Sequence, residues 1–426
     1  SGLATRINAP ISGAAGLTKS GGGTLTLGGA NSYAGLTTVS GGTLSLASGG
    51  TIAGAVQNNA TLTNAGTIIG LLTNAGTLTS TGTLAGGLTN NAGATANVAG
   101  SFGGSAITNS GTLTLTGATT GIGAFTQNLG GVFNLTNVST SIGSLAGTGQ
   151  VLMSAGGLTL GSANTNTDYA GTITGSGVLV KTGTGTQTLS GTSTFLGSTL
   201  IAQGSLVLAT GTSFASALQN NATFINAGTT TGLVTNSGTL TSTGTLAGGL
   251  VNNAGATASL ANAVNGAITN SGTITLTGVL SGNPSFTQNA GGSLNLAGFS
   301  TTLGSIAGTG AIQLGSGTLT AGGNNAPTSF DGIISGSGTF TKTGTGTLTL
   351  GGANSFTGLT TVSQGSTLAI GATGSLAAAV TNLGVLTNAG TVGGLVNNAG
   401  TFQSTGSLNG GLANVTQASV RGNLSG

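Results

Sequence analysis

The sequence predicts an all-β protein, a parallel β-solenoid with about 16–19 residues per coil. Three observations carry that prediction. Apolar residues alternate with threonine or serine over short stretches, glycine and asparagine punctuate those stretches, and the punctuation returns at a nearly constant step.

The alternation defines the strands. TLTL at Thr347–Leu350, TLTLT at Thr112–Thr116 and TITLT at Thr273–Thr277 all have period two, which marks strands and not helices. Glutamate is absent and lysine and arginine are rare, glycine, threonine and asparagine oppose long helices, and NAG, NSG, GGAN and GTG segments read as turns between strands. In each coil leucines point inward, threonines point outward, and glycines or asparagines turn the corner. Threonine suits an exposed parallel sheet because its β-branch favours extended backbone.

The step defines the coils. The triplets VQN, LTN, LTN and ITN place Asn58, Asn74, Asn90 and Asn109 at steps of 16, 16 and 19. Asn220, Asn236, Asn252 and Asn270 follow at 16, 16 and 18, and Asn382, Asn398 and Asn414 at 16 and 16. These eleven residues are expected to form a ladder at one corner, each amide bonded to its neighbours along the stack. The alternative is that each asparagine merely supplies a turn conformation; the match between step and coil length favours the ladder. At about 17 residues per coil the 426 residues make about 25 coils, a rod of about 120 Å at the usual strand spacing.

A longer repeat overlies the short one. Lys19, Lys181 and Lys342 lie in similar segments, at steps of 162 and 161 along the chain. TSTGTLAGGL starts at Thr79 and again at Thr241, and returns as QSTGSLNGGL at Gln403. The chain therefore reads as one continuous solenoid of about 2.6 copies of a 162-residue unit, approximately 1–167, 168–329 and 330–426. Neither end reads as a capping repeat, so the expectation is a segment of a longer rod or a subunit whose ends stack.

Composition narrows the function classes. Eighty-seven glycines with 3 prolines and no strict triplet period exclude collagen. Charged residues make up only 2% of the chain and apolar ones 37%, so a packed core replaces disorder. The net charge of +3 rests on scattered cations, with no basic cluster to displace counterions from nucleic acid. No apolar run approaches the roughly 20 residues of a spanning helix, so this segment is not expected to insert in a membrane. The opening SGLATRINAP lacks the apolar stretch of a signal peptide. Cysteine is absent, which excludes disulfides and thiolate metal sites.

Catalytic groups are equally sparse. Asp168 and Asp331 are the whole acidic complement, 163 positions apart, whereas a glycosidase needs two carboxyls within about 10 Å. Without histidine no Ser-His-Asp triad exists. GTGTG segments lack the helix and lysine–serine/threonine ending of a phosphate loop. No catalytic, cofactor or metal residue is expected, and the chain is read as a non-enzyme.

The segments around the three lysines resemble the autotransporter-associated β-strand repeat, also called the passenger-associated transport repeat. The third copy carries the pattern most fully, in Phe330, Gly332, Ile334, Gly336, Gly338, Lys342, Gly344, Gly346, Leu348, Leu350, Asn354, Phe356, Gly358, Thr360 and Val362. The second departs at Gln187 and at Ser193-Thr194-Phe195; the first keeps Asn31, Tyr33 and Gly35 but has a degenerate front half around Gly21 and Gly23. The resemblance directly covers a quarter to a third of the chain. It implies a right-handed parallel β-helix exported to the surface of a Gram-negative bacterium, and nothing about catalysis. No C-terminal membrane barrel is visible, so a barrel beyond residue 426 or another export route is expected.

The lysines mark a corner position, capping carbonyls or pairing with a nearby aspartate; Asp331 and Lys342 are close enough for a weak surface pair. A binding role ranks below these. Tyr33, Phe195 and Phe356 recur in one turn and read as core plugs or external stacks before ligand platforms. Three functions compete. First comes an extracellular structural rod or fibre that associates with itself head to tail or laterally. Second comes an adhesin for host or neighbouring-cell surfaces or biofilm. Third comes an ice-binding solenoid built on T-L-T arrays at Thr77–Thr79, Thr112–Thr114 and Thr239–Thr241, with ATAN at 94–97 and GVFN at 131–134 expected to break the face.

Overall fold

A computed structural model describes residues 3–414 and the backbone of 418–420. The described residues form strands joined by turns, with no helix, and the strands pair in parallel. They make a β-solenoid with about 18 residues per coil. The chain divides into two compact units, Ser1–Ala217 and Leu218–Gly426, so the division falls inside the second sequence copy.

In the first unit, a 16-residue coil holds three strands, for example Val56–Asn58, Thr61–Asn64 and Thr67–Ile68. The next coil repeats them as Leu72–Asn74, Thr77–Ser80 and Thr83–Leu84, in register: Leu72 pairs with Val56, Thr77 with Thr61, and Thr83 with Thr67. Alternation decides which side is buried. Leu62, Leu78, Leu72, Leu88, Ile68 and Leu84 fill the interior, while Thr61, Thr63, Thr77 and Thr79 face out. The corners are tight because backbone meets backbone there. At Gly82 a Cβ would lie 2.0 Å from the Gly66 carbonyl oxygen of the preceding coil, so no larger residue fits without moving that corner.

The second unit repeats this design: Leu218–Asn220, Val234–Asn236 and Leu250–Asn252 stack as one sheet, with Thr223–Asn226, Thr239–Ser242 and Thr257–Leu260 beside it. Here the long repeat and the coils fall out of step. The column that starts at Asn220 runs through Asn236, Asn252, Asn270, Gln288, Gly308, Phe330, Leu350 and Ile370 to Asn388. Nine coils thus carry the chain from position 220 to position 388, a step of 388 − 220 = 168, six more than the step of the long repeat. Six residues are one strand and its turn, as from Asn382 to Asn388. Each copy of the repeat is therefore displaced by one face. The first unit does the same. The column from Asn58 runs to Leu208. The counterpart of Leu208 one repeat earlier, Leu46, sits in the neighbouring sheet against Asn64.

Candidate functional site

Amide stacks are the first feature built by this geometry. In the first unit Asn58 Nδ2 donates to Asn74 Oδ1 at 2.6 Å, Asn74 to Asn90 at 2.8 Å, Asn90 to Asn109 at 2.8 Å, and Asn109 to Gln127 Oε1 at 3.0 Å. The same amides also donate to backbone carbonyls one strand further on: Thr77, Thr95, Thr112 and Val132. One side chain therefore joins two coils and closes a corner, which satisfies buried polar groups that would otherwise be costly. In the second unit Asn220, Asn236, Asn252 and Asn270 form an equivalent stack ending on Gln288 Oε1.

Asn382 donates to Asn398 at 2.6 Å and Asn398 to Asn414 at 2.8 Å, but on a different sheet. The expectation of a single corner is thereby corrected: the second unit holds two stacks on two sheets, because the repeat is six residues short of nine coils.

Two further amide positions escaped the sequence reading. Asn64, Asn226 and Asn388 each donate to a serine hydroxyl of the next coil, Ser80, Ser242 and Ser404, at 3.0 Å. Their NAG context reads as turn punctuation, and their hydroxyl partners break the identity that would have revealed them. Asn31 and Asn354 bridge coils through backbone: Asn31 Nδ2 reaches the Gly29 and Thr51 carbonyls, and Asn354 Nδ2 those of Gly352 and Ser375. The second copy has Ser193 at this place, buried and with an unpartnered hydroxyl.

The lysines are buried, and carbonyl oxygens surround their ammonium groups. Lys19 Nζ donates to Ser20, Gly21 and Gly41 at 3.0, 2.7 and 2.8 Å. Lys181 Nζ reaches Thr182, Gly183 and Gln203 at 2.6, 3.0 and 3.4 Å, and Lys342 Nζ reaches Thr343 and Gly344 at 2.5 and 3.1 Å. Gly21, Gly183 and Gly344 have φ of 72°, 66° and 71°, a left-handed turn that brings the second carbonyl onto the ammonium. Burial lowers the pKa of Lys181 and of Lys342. The surface pair with Asp331 does not form: Asp331 accepts from Ser329 Oγ at 2.8 Å, and Lys342 points into its own corner.

Tyr33, Phe195 and Phe356 are core residues, at most 2% exposed. Tyr33 Oη lies 2.7 Å from Thr37 Oγ1. Phe356 has no hydroxyl to offer, and the corresponding Thr360 Oγ1 is buried without a partner. Phe195 also lacks a hydroxyl, but there Thr199 Oγ1 bonds Ser216 Oγ at 3.0 Å instead.

With the recurrent amides, the three lysines and the rings turned inward, hydroxyls dominate the outward positions of the strands, while apolar side chains such as Leu36, Ile69, Leu129 and Leu196 are exposed elsewhere on the surface. In the first unit Thr24, Thr43, Thr61, Thr77, Thr95 and Thr112 stack in register on one sheet. Beside them, two residues along each strand, stand Thr26, Ser45, Thr63, Thr79, Asn97 and Thr114. ATAN therefore does not interrupt the array: Thr95 keeps its column, and only Asn97 changes the chemistry. Val132 and Asn134 of GVFN replace the threonines in the following strand.

Each lysine corner, with its aromatic plug and the strand after it, falls within one matched segment. Residues 17–46, 179–208 and 340–370 match the passenger-associated-transport-repeat. The chain carries this repeat three times. It is in this respect similar to autotransporter passengers. The three repeats hold Lys19 and Tyr33, Lys181 and Phe195, and Lys342 and Phe356, so the matched segments are those that close a corner on a lysine. No curated protein and no solved structure matches the chain.

Proposed function

We propose that this chain is a non-enzymatic structural element of autotransporter-passenger type, a stalk or fibre displayed at the surface of a Gram-negative bacterium and self-associating there. One observation carries the reading: the recurrent amides and the three lysines are engaged inside the fold. The amides join coils, the lysines hold corner carbonyls, and the outward positions of the strands are mostly threonine and serine, with almost no charge. Such a surface resists proteases that cut at basic residues and offers little repulsion to a neighbouring copy. The passenger-associated-transport-repeats support export to the cell surface or the medium.

Electron microscopy of the purified chain, with sedimentation velocity over a range of concentrations, tests this reading. Filaments, bundles or concentration-dependent growth are the expected result. A chain that stays a single particle throughout, and instead binds host or bacterial cells saturably, would overturn it in favour of an adhesin.

A further inference from the structure

The two-column threonine face of the first unit spans six strands, from Thr24–Leu27 to Thr112–Leu115, with no Lys, Arg, Asp or Glu among its outward residues. Arg6, paired with Thr26, stands at its edge. The second unit carries two shorter arrays on different sheets. Thr239 and Thr241, Thr257 and Ser259, and Thr273 and Thr275 form one. Thr347 and Thr349 belong to the strand that continues the Asn220 column, so the next array lies on the neighbouring sheet, where Thr367, Thr387 and Thr401 follow and Ala369, Val385 and Gln403 interrupt the hydroxyls.

We infer that these faces are the surfaces through which copies of this chain dock side by side, on more than one side of each copy. The inference rests on the self-associating reading above and names its surface. Three arguments select a second copy as the occupant. Hydroxyls donate and accept, so a threonine row complements another threonine row without charge matching. Parallel strands repeat at about 4.8 Å in every copy, so facing rows stay in step along the whole array, with methyls interleaving between them as in a dry zipper. A partner of any other period falls out of step after a few rows.

Area then sets the strength. Six strands about 4.8 Å apart and about 13 Å long present roughly 370 Å² per partner, or about 750 Å² for the pair, short of the roughly 1,200–2,000 Å² of stable complexes. One array holds a copy weakly. Arrays on two sheets make the contact multivalent and leave growth open, because a docked copy leaves the second face uncovered.

The test is the variant Thr77→Lys/Thr241→Lys/Thr349→Lys, which puts one cation within each array, with Thr77→Ser/Thr241→Ser/Thr349→Ser as control. Sedimentation velocity is expected to show the serine variant assembling like the parent. The lysine variant should need at least a roughly tenfold higher concentration for half-assembly. The sequence has no cysteine, so Thr77→Cys joined after folding to a polyethylene glycol maleimide blocks the first face without altering the folding chain. If the parent assembles and the lysine and blocked forms assemble equally well, the face assignment is wrong while self-association stands. If the parent never assembles, both fall.

Discussion

At the residue scale the three repeats act as internal controls for one another. Tyr33 and Thr37 share a hydrogen bond that Phe356 and Thr360 lack. Phe356→Tyr should give Thr360 its partner and stabilise the fold by about 1 kcal/mol, read as a higher denaturant midpoint. Ser193→Asn should likewise restore the coil-bridging amide of Asn31 and Asn354 at a place where the serine hydroxyl is unpartnered. A gain of about 1 kcal/mol is expected, and a loss would mean that the second copy has repacked around the serine.

The lysines give a pH signature. Burial lowers the pKa of Lys181 and Lys342 from the ordinary 10.5, so the unfolded chain binds those protons more tightly than the folded chain. Their contribution rises as pH approaches 10.5 and is lost as pH falls through the folded value. Tyr33 and Tyr169 act in the opposite sense: burial raises both from 10.0, so their contribution is complete below 10.0 and lost as pH climbs through their folded values. Thermal melts should therefore show stability climbing on the alkaline side and turning over above about pH 10. Lys181→Met/Lys342→Met should flatten the climb without removing the turnover.

At the scale of the element, the amide stack is the unit of stability. Asn74 accepts from Asn58 and donates to Asn90, whereas Asn58 only donates along the stack. Asn74→Ala strips partners on both sides and should cost about 2–4 kcal/mol; Asn58→Ala, at the end, should cost about half as much. Equal losses in urea titrations would show that the stack does not act as a chain. The LTN triplets made this element legible, because identical residues at the coil period can only stack. The Asn64, Asn226 and Asn388 positions were not legible. Their partners are serines, and pairing between unlike residues leaves no periodic mark. The lysine corners were half legible: the recurrence marked a corner, but the choice of carbonyls over Asp331 depended on backbone direction at Gly344.

At the scale of the whole molecule, buried cations predict a proteolysis pattern. Lys19, Lys181 and Lys342 are 7%, 1% and 1% exposed, whereas Arg6 is exposed. Trypsin should leave the native chain uncut at all three lysines and cleave there once it is heated through its melting transition. Mass spectrometry reads the ends directly, and rapid native cleavage after Lys181 would contradict the buried corner.

The coil step and the inward leucine pattern were legible at this scale. The displacement of each repeat by one face was not, for it needs the sum of nine coil lengths. Coils around the lysine repeats are longer than those around the amide stacks: Gly308 pairs with Phe330 across a step of 22, whereas Asn236 pairs with Asn252 across a step of 16. By itself the sequence determined that the chain coils, what lies inside each coil and which residues recur, since alternation and period act locally. Only the tertiary structure decided which recurrences share a column, because register is settled by how much backbone each corner consumes when coils pack.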